Sequence, residues 1–74
     1  MWKEGNETIN GHKMRWQAKV YDEGSQFGIN KGRISKLWIS QDGEQVCNYD
    51  RGWDVRPKTP EAKQVYNMLL NKFK

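Results

Sequence analysis

The strongest constraint on the fold is a hairpin pattern in residues 32–54, GRISKLWISQDGEQVCNYDRGWD. Residues 33–40 and 44–51 each combine β-branched and aromatic residues with polar ones, as β-strands do. The Asp42-Gly43 pair between the two segments is typical of a two-residue type I′ turn, because both residues tolerate positive φ. We therefore predict two antiparallel strands joined by a tight turn.

This predicted hairpin carries apolar residues on both faces, whereas a half-buried strand pair is usually apolar on one face only. In the register that the turn favours, one face has Leu37, Ile39 and Val46, with Ile39 opposite Val46. The other face carries a broader set: Ile34, Trp38, Cys47 and Tyr49, with Lys36 and Arg51 among them. Each face therefore needs an apolar cover.

A second hairpin precedes the first, around the Asn10-Gly11 pair. The segment that follows, residues 13–21, alternates strictly. Its apolar side consists of Met14, Trp16, Ala18 and Val20. Its polar side is basic and consists of Lys13, Arg15, Gln17, Lys19 and Tyr21. We interpret it as a half-buried strand with a basic outer face.

A C-terminal helix is predicted over about residues 60–73. Thr59 is a favourable N-cap, Pro60 suits the first helical position, and Glu61 complements the positive helix start. The apolar residues recur at helical spacing: Ala62, Val65, Tyr66, Leu69 and Phe73. The helix should lay this apolar stripe on one face of a sheet.

These elements predict an α+β fold in one domain, residues 1–74, with the order ββββα. The antiparallel sheet has four strands, or three, over about residues 7–56. We assign the helix to the broader apolar face, which leaves Leu37, Ile39 and Val46 on the open side. The favoured cover for them is the N-terminal segment with Trp2, or the loop with Phe27 and Ile29; a symmetric dimer and a different protein are the alternatives.

The composition narrows the function classes. The 74 residues carry a net charge of +4, and the mean hydropathy is -1.08. One cysteine and one histidine offer neither a disulfide nor a Cys-based metal site, and no cofactor motif is present. No apolar run approaches the ~20 residues of a membrane span. We expect a soluble, cytoplasmic, non-enzymatic protein without cofactor or membrane contact.

The basic and aromatic residues suggest a nucleic-acid partner, because cations track phosphates and aromatic rings stack on bases of single strands. The candidate residues are Lys13, Arg15, Lys19, Tyr21, Arg33, Lys36 and Trp38. The plainer interpretation of the same residues is a solvated strand face with its aromatics in the core. The rival function is protein interaction, with a phage-type inhibitor or a homodimer using Leu37, Ile39 and Val46.

Two stretches, FGINKGRISKLWI and NYDRGWD, resemble a family of small bacterial and phage proteins of unknown function. The resemblance covers roughly residues 16–73. It implies an intracellular accessory protein and supplies no catalytic or binding residues. The order ββββα is also similar to that of single-stranded-DNA-binding transcription coactivators, although their specific motifs are not matched.

Overall fold

The computed structural model describes all residues, 1–74, and shows an antiparallel sheet with one helix across it. The strands are β1 Trp2–Ile9, β2 His12–Val20, β3 Ile34–Gln41, β4 Glu44–Asp50 and β5 Trp53–Val55, and the helix α1 spans Pro60–Lys72. The strands lie side by side in chain order. The predicted α+β class is confirmed, with a fifth short strand beyond the four expected.

The first strand begins earlier than predicted. The sheet starts at Trp2 rather than near residue 7, and Trp2 lies opposite Lys19 of β2. The Asn10-Gly11 turn has φ values of 52° and 80°, which is the left-handed geometry that a type I′ turn requires. Because an Asn-Gly turn fixes the register, the whole of β1 follows β2 backwards without interruption.

Gly5 shows why β1 tolerates a glycine in its middle. It lies directly opposite Trp16 on β2, and a Cβ atom at Gly5 would approach Cζ2 of the Trp16 indole to 2.7 Å. The indole therefore occupies the space that a side chain on β1 would fill. On its other side, Trp16 makes an edge contact with Phe73, with ring centroids 6.2 Å apart.

A β-bulge in β4 overturns the predicted register of the central hairpin. Gln41 pairs with Glu44 as predicted and Ser40 pairs with Gln45, but Ile39 then pairs with Cys47. Val46 is therefore an extra residue in β4, and the alternation of that strand changes phase at this point. From Cys47 onward, β4 presents to the helix the residues that a regular strand would have presented to the opposite side.

A second bulge has the same effect at the start of β3. Lys36 lies opposite Lys19, whereas Ile34 lies opposite Val20, so Ser35 is the extra residue. The shift brings Ile34 into line with the apolar residues of β2. The two bulges explain how a segment that is apolar on both sides in strict alternation builds a single apolar face.

The prediction for which face the helix covers was therefore right for Ile34, Cys47 and Tyr49, which lie in the core with the helix, and wrong for the residues that alternate with them in the predicted register. Leu37, Ile39 and Val46 were expected on the open side, yet they are 1%, 0% and 4% exposed in the core between sheet and helix. Trp38 alternates with Leu37 and Ile39 and lies on the other face, half-buried. No separate cover for Leu37, Ile39 and Val46 is needed, because the helix covers them.

The helix forms as its sequence predicts, ending one residue earlier at Lys72. The Thr59 hydroxyl accepts a hydrogen bond from the Ala62 amide at 3.0 Å, and Pro60 occupies the first turn. Ala62, Val65 and Leu69 are the buried residues of the helix. Their burial joins them to one cluster of 14 core residues, most of which the sheet contributes.

The loop between β2 and β3 divides its two apolar residues between core and surface. Ile29, in a short 3₁₀ turn, is 3% exposed and belongs to the core, whereas Phe27 is 47% exposed. The Phe27 carbonyl accepts a hydrogen bond from the Tyr49 hydroxyl at 2.8 Å. The loop is thus pinned at Ile29 and at the Phe27 backbone, while the Phe27 ring stays on the surface. No helix of the structure is long and apolar enough to cross a membrane.

Candidate nucleic-acid interface

The sheet face opposite the helix is the candidate interface, and we call it the open face. Strand register places on it the residues that alternate with the core: Trp2, Glu4, Asn6 and Thr8 of β1, Lys13, Arg15, Gln17 and Lys19 of β2, Lys36, Trp38 and Ser40 of β3, and Gln45, Asn48 and Asp50 of β4. No element of the chain packs across this surface.

Most of the predicted nucleic-acid residues meet on the open face. Lys13, Arg15 and Lys19 follow each other along β2, and Lys36 and Trp38 lie beside them on β3. The sequence predicts Trp38 both on the face under the helix and among the nucleic-acid contacts, which cannot both hold. The phase shift at the bulges puts Trp38 on the open face and so removes this conflict. The predicted residues are therefore close together on one uncovered face.

Arg33 does not join this group. Its Nε donates to the Tyr21 carbonyl at 2.9 Å, and its Nη1 donates to the Lys74 carbonyl at 3.1 Å. These bonds direct the guanidinium toward the end of the helix, on the opposite side of the sheet. Arg33 ties the loop to the chain beyond the helix, so the structure places it apart from the other predicted phosphate contacts.

The charges of the open face are unevenly balanced. The open face contains one ion pair, in which Lys36 Nζ lies 3.6 Å from Asp50 Oδ1. Lys13, Arg15 and Lys19 form no ion pair. Glu4 is the other carboxylate on the face, on the edge strand β1. Three unpaired cations on one strand give the centre of the face a positive potential.

Tyr21 lies just beyond β2, at the end of this row of cations. Its ring is 45% exposed, and the Lys19 ammonium lies 5.5 Å from the ring centroid. The adjacent Lys19 lowers the pKa of the Tyr21 hydroxyl below its usual value of 10.0, and the charge of Arg51 acts in the same direction. The surroundings of the phenol oxygen therefore favour negative charge.

Two of the shallow depressions on the open face border Trp38. The larger, about 810 Å³, runs beside Lys13, Arg15, Trp38 and Ser40. The smaller, about 250 Å³, is lined by Trp2, Gln17 and Trp38 together with residues of β3 and β4. Two tryptophans thus border one depression, with the Gln17 side chain between them in the register.

Trp2 is the residue that the sequence reasoning missed, since it had been considered only as a cover for apolar residues. It is 56% exposed and lies on the same face as Trp38. A signal for it exists in the sequence: Trp2 lies as far before the Asn10-Gly11 turn as Lys19 lies after it. Extending the hairpin to its full length would have placed the indole beside the basic row.

His12, Cys47 and Asp54 carry side chains that could serve in catalysis, and each has surroundings that fit a structural role. His12 Nδ1 lies 2.7 Å from Asp42 Oδ2 at the two hairpin turns. Cys47 is fully buried, and burial raises the pKa of its thiol to about 12, so it is not an activated nucleophile. Asp54 Oδ2 accepts from Asn48 Nδ2 at 3.2 Å. No group of three or more potential metal ligands is present.

Comparison with known proteins gives one match. A family model described as a domain of unknown function (DUF7678) matches residues 1–74. No curated protein and no solved structure matches the chain.

Proposed function

Because the chain belongs to a family described only as a domain of unknown function, we propose its function from its geometry. We propose a non-enzymatic module that binds single-stranded nucleic acid on the open face of its sheet. Lys13, Arg15 and Lys19 contact phosphates, Trp38 and Trp2 stack on bases, and Lys36 and Tyr21 extend the same surface.

The observation that carries this proposal is the row of unpaired cations on β2 beside two indoles, the exposed one of Trp2 and the half-buried one of Trp38. From Lys13 to Lys19 the strand rises ~3.4 Å per residue, so the row is about 20 Å long. A positively charged track flanked by aromatic rings is the arrangement that holds single strands without reading their sequence. The absence of any covering element leaves this track open to a ligand.

A single strand fits this surface better than a duplex does. Stacking on Trp2 and Trp38 requires unpaired bases, whose faces a duplex hides. Reading a duplex through its major groove usually requires a projecting helix or a two-stranded ribbon. The helix α1 is packed on the opposite face of the sheet, so it does not project beside the cations.

The rival function, protein interaction through Leu37, Ile39 and Val46, loses its basis because these residues are buried under the helix.

The nucleic-acid proposal also implies a cytoplasmic location, where the ligand is present and the free thiol of Cys47 remains reduced.

Fluorescence anisotropy with labelled single-stranded and duplex oligonucleotides tests the proposal. Three phosphate contacts predict that the logarithm of the affinity for single strands falls with the logarithm of salt concentration with a slope of about −2, since each contact contributes about −0.7. Arg15→Glu should weaken binding about tenfold or more at low salt and make the slope shallower.

Lys63→Glu is the matched control, because Lys63 is exposed on the helix and its substitution changes the net charge equally. It should leave affinity nearly unchanged. An equal loss in both variants would mean that net charge alone drives binding. No binding at low salt would reject the proposed function.

A further inference from the structure

A third depression, about 350 Å³, lies at the loop end of the open face and has a different character. It forms where β2 ends, where β3 begins and where β4 turns into β5. Its lining brings together three cationic side chains, two exposed aromatic rings and a buried hydroxyl: Lys19, Lys36, Arg51, Tyr21, Phe27 and Ser35. Glu23 is the carboxylate in its lining.

The buried hydroxyl belongs to the bulge residue Ser35. Ser35 is 5% exposed, and its Oγ atom makes no hydrogen bond that meets normal geometry. A buried polar group without a partner is unfavourable, and such groups in native structures call for an explanation. Bulges are also common beside functional sites, where they redirect a side chain. The Tyr21 hydroxyl lies near the Ser35 hydroxyl without reaching that hydrogen-bond geometry, and a ligand oxygen would supply the missing partner.

The two lysines of the depression face each other. Lys19 and Lys36 are direct cross-strand partners, and like charges in this position destabilise a sheet. Asp50 Oδ1 lies 3.6 Å from Lys36 Nζ and balances the charge of Lys36 but not that of Lys19. Lys19 has no carboxylate partner. The pair therefore leaves a positive charge that a bound anion would compensate.

Arg51 adds a strained backbone to the same place. Its φ is 60°, in the left-handed region that non-glycine residues rarely adopt, and its amide donates to the Ser35 carbonyl at 3.0 Å. Its guanidinium carbon lies 5.4 Å from the centroid of the Phe27 ring. Backbone strain of this kind concentrates at ligand sites, where it holds a side chain in a required position.

Several groups of the depression act on the same atom, the phenol oxygen of Tyr21. The Lys19 ammonium, the Ser35 hydroxyl and the charge of Arg51 all lower the Tyr21 pKa, with Lys19 acting most strongly. These groups stabilise negative charge on the phenol oxygen of Tyr21. A phosphate oxygen that accepts a hydrogen bond from the Tyr21 hydroxyl would lie beside the same cations, Lys19 and Arg51, which line the depression.

We propose that this depression is a phosphate-binding pocket, and that its ligand is the terminal phosphate of a nucleic-acid strand lying along the open face. Lys19 and Arg51 bind the phosphate oxygens, the Ser35 and Tyr21 hydroxyls donate hydrogen bonds, and the exposed rings of Tyr21 and Phe27 contact the terminal base. The identity of the phosphate's source rests on the proposed function; the pocket itself does not.

The first test uses inorganic phosphate and the full chain, followed by amide chemical shifts in ¹H–¹⁵N NMR spectra. Shifts should concentrate at Lys19, Ser35 and Arg51. Ser35→Ala removes a hydroxyl that has no partner, and Arg51→Asn places a residue tolerant of positive φ at a strained position. Both variants should therefore fold, and each should weaken phosphate binding about tenfold.

Lys63→Gln is the matched control, because Lys63 is exposed on the helix, on the opposite side of the sheet, and does not line the pocket. It should leave the phosphate response unchanged. Weak shifts spread evenly over exposed lysines, and unaltered in Ser35→Ala and Arg51→Asn, would overturn the pocket.

The second test compares one oligonucleotide with a 5′-phosphate, a 3′-phosphate or no terminal phosphate. One phosphorylated end should bind about tenfold more tightly, and Arg51→Asn should abolish the difference. Equal affinities for all three would overturn the assignment to a strand end. Phosphate binding in the pocket without binding of any oligonucleotide would uphold the pocket and reject the proposed function.

Discussion

Asp42 connects two turns that are distant in the chain. Its backbone has a φ of 51° in the β3–β4 turn, while its carboxylate accepts a hydrogen bond from the Lys13 amide at 2.9 Å and lies 2.7 Å from His12 Nδ1. The pKa of His12 is raised above 6.5, chiefly by its hydrogen bond with Asp42, and the pKa of Asp42 is lowered below 3.8, chiefly by the same bond.

The sign of the pH dependence follows from these directions. The raised pKa of His12 gives a contribution to stability that is complete below pH 6.5 and is lost as pH rises through the folded-state pKa. The lowered pKa of Asp42 gives a contribution that is complete above pH 3.8 and is lost on acidification. Stability from this pair is therefore greatest between these two values.

We expect an NMR titration of the His12 ring to give a pKa above 6.5, and Asp42→Asn to return it toward 6.5. Asn tolerates the left-handed backbone of this turn position, so the variant keeps the fold. A wild-type value at or below 6.5 would contradict the contact between the two side chains.

At the scale of elements, the N-terminus of α1 is fastened to the sheet by Thr59. Its hydroxyl accepts from the Ala62 amide at 3.0 Å and donates to Gln41 Oε1 at 2.6 Å. Thr59→Ala should lower the free energy of unfolding by about 1–2 kcal/mol, because the N-cap bond is lost. Urea denaturation measures this change. Thr59→Ser keeps the hydroxyl and should lose about half a kcal/mol or less; an equal loss in both would show that the methyl group matters instead.

The elements also show how far the sequence could predict the structure. The turns at Asn10-Gly11 and Asp42-Gly43 and the capped helix follow from local chemistry, and each formed as predicted. The bulges at Ser35 and Val46 do not, because the gain from burying Ile34 and Tyr49 under the helix is a property of the assembled core. Strict alternation therefore placed Leu37 and Ile39 on the opposite face from Cys47 and Tyr49, whereas all four lie in the core.

On the open face, too, the sequence predicts what depends on local chemistry and misses what depends on the assembled core. Lys13, Arg15 and Lys19 were placed together correctly, because β2 is regular from His12 to Lys19. Trp38 could not be assigned to a face without knowing which apolar residues the helix covers. The pocket at Ser35 was beyond prediction, since it depends on a bulge, a loop and a turn that meet only in the folded chain.

At the scale of the whole molecule, one apolar cluster lies between sheet and helix, and Cys47 is at its centre with 0% exposure. Modification of the Cys47 thiol should require opening of the core. In the folded protein the pKa of the thiol is about 12, so little of it is present as the thiolate that attacks the reagent. We expect an aromatic disulfide reagent at pH 8 to label the native protein at least about a thousandfold more slowly than the urea-unfolded protein, as a stability of ~5 kcal/mol or more implies. Rapid labelling in native buffer would indicate a local opening at β4.

This labelling rate also reports on the proposed ligand, since a molecule that binds the folded state alone reduces the open fraction by a factor of 1 + [L]/Kd. A single-stranded oligonucleotide at ~100 times its Kd should therefore slow Cys47 modification about 100-fold. The ligand and the thiol lie on opposite faces of the sheet, so direct shielding does not explain such an effect. Arg15→Glu, which weakens binding, should restore rapid labelling at the same oligonucleotide concentration. An oligonucleotide that binds yet leaves the rate unchanged would show that labelling occurs through a local opening that the open face does not control.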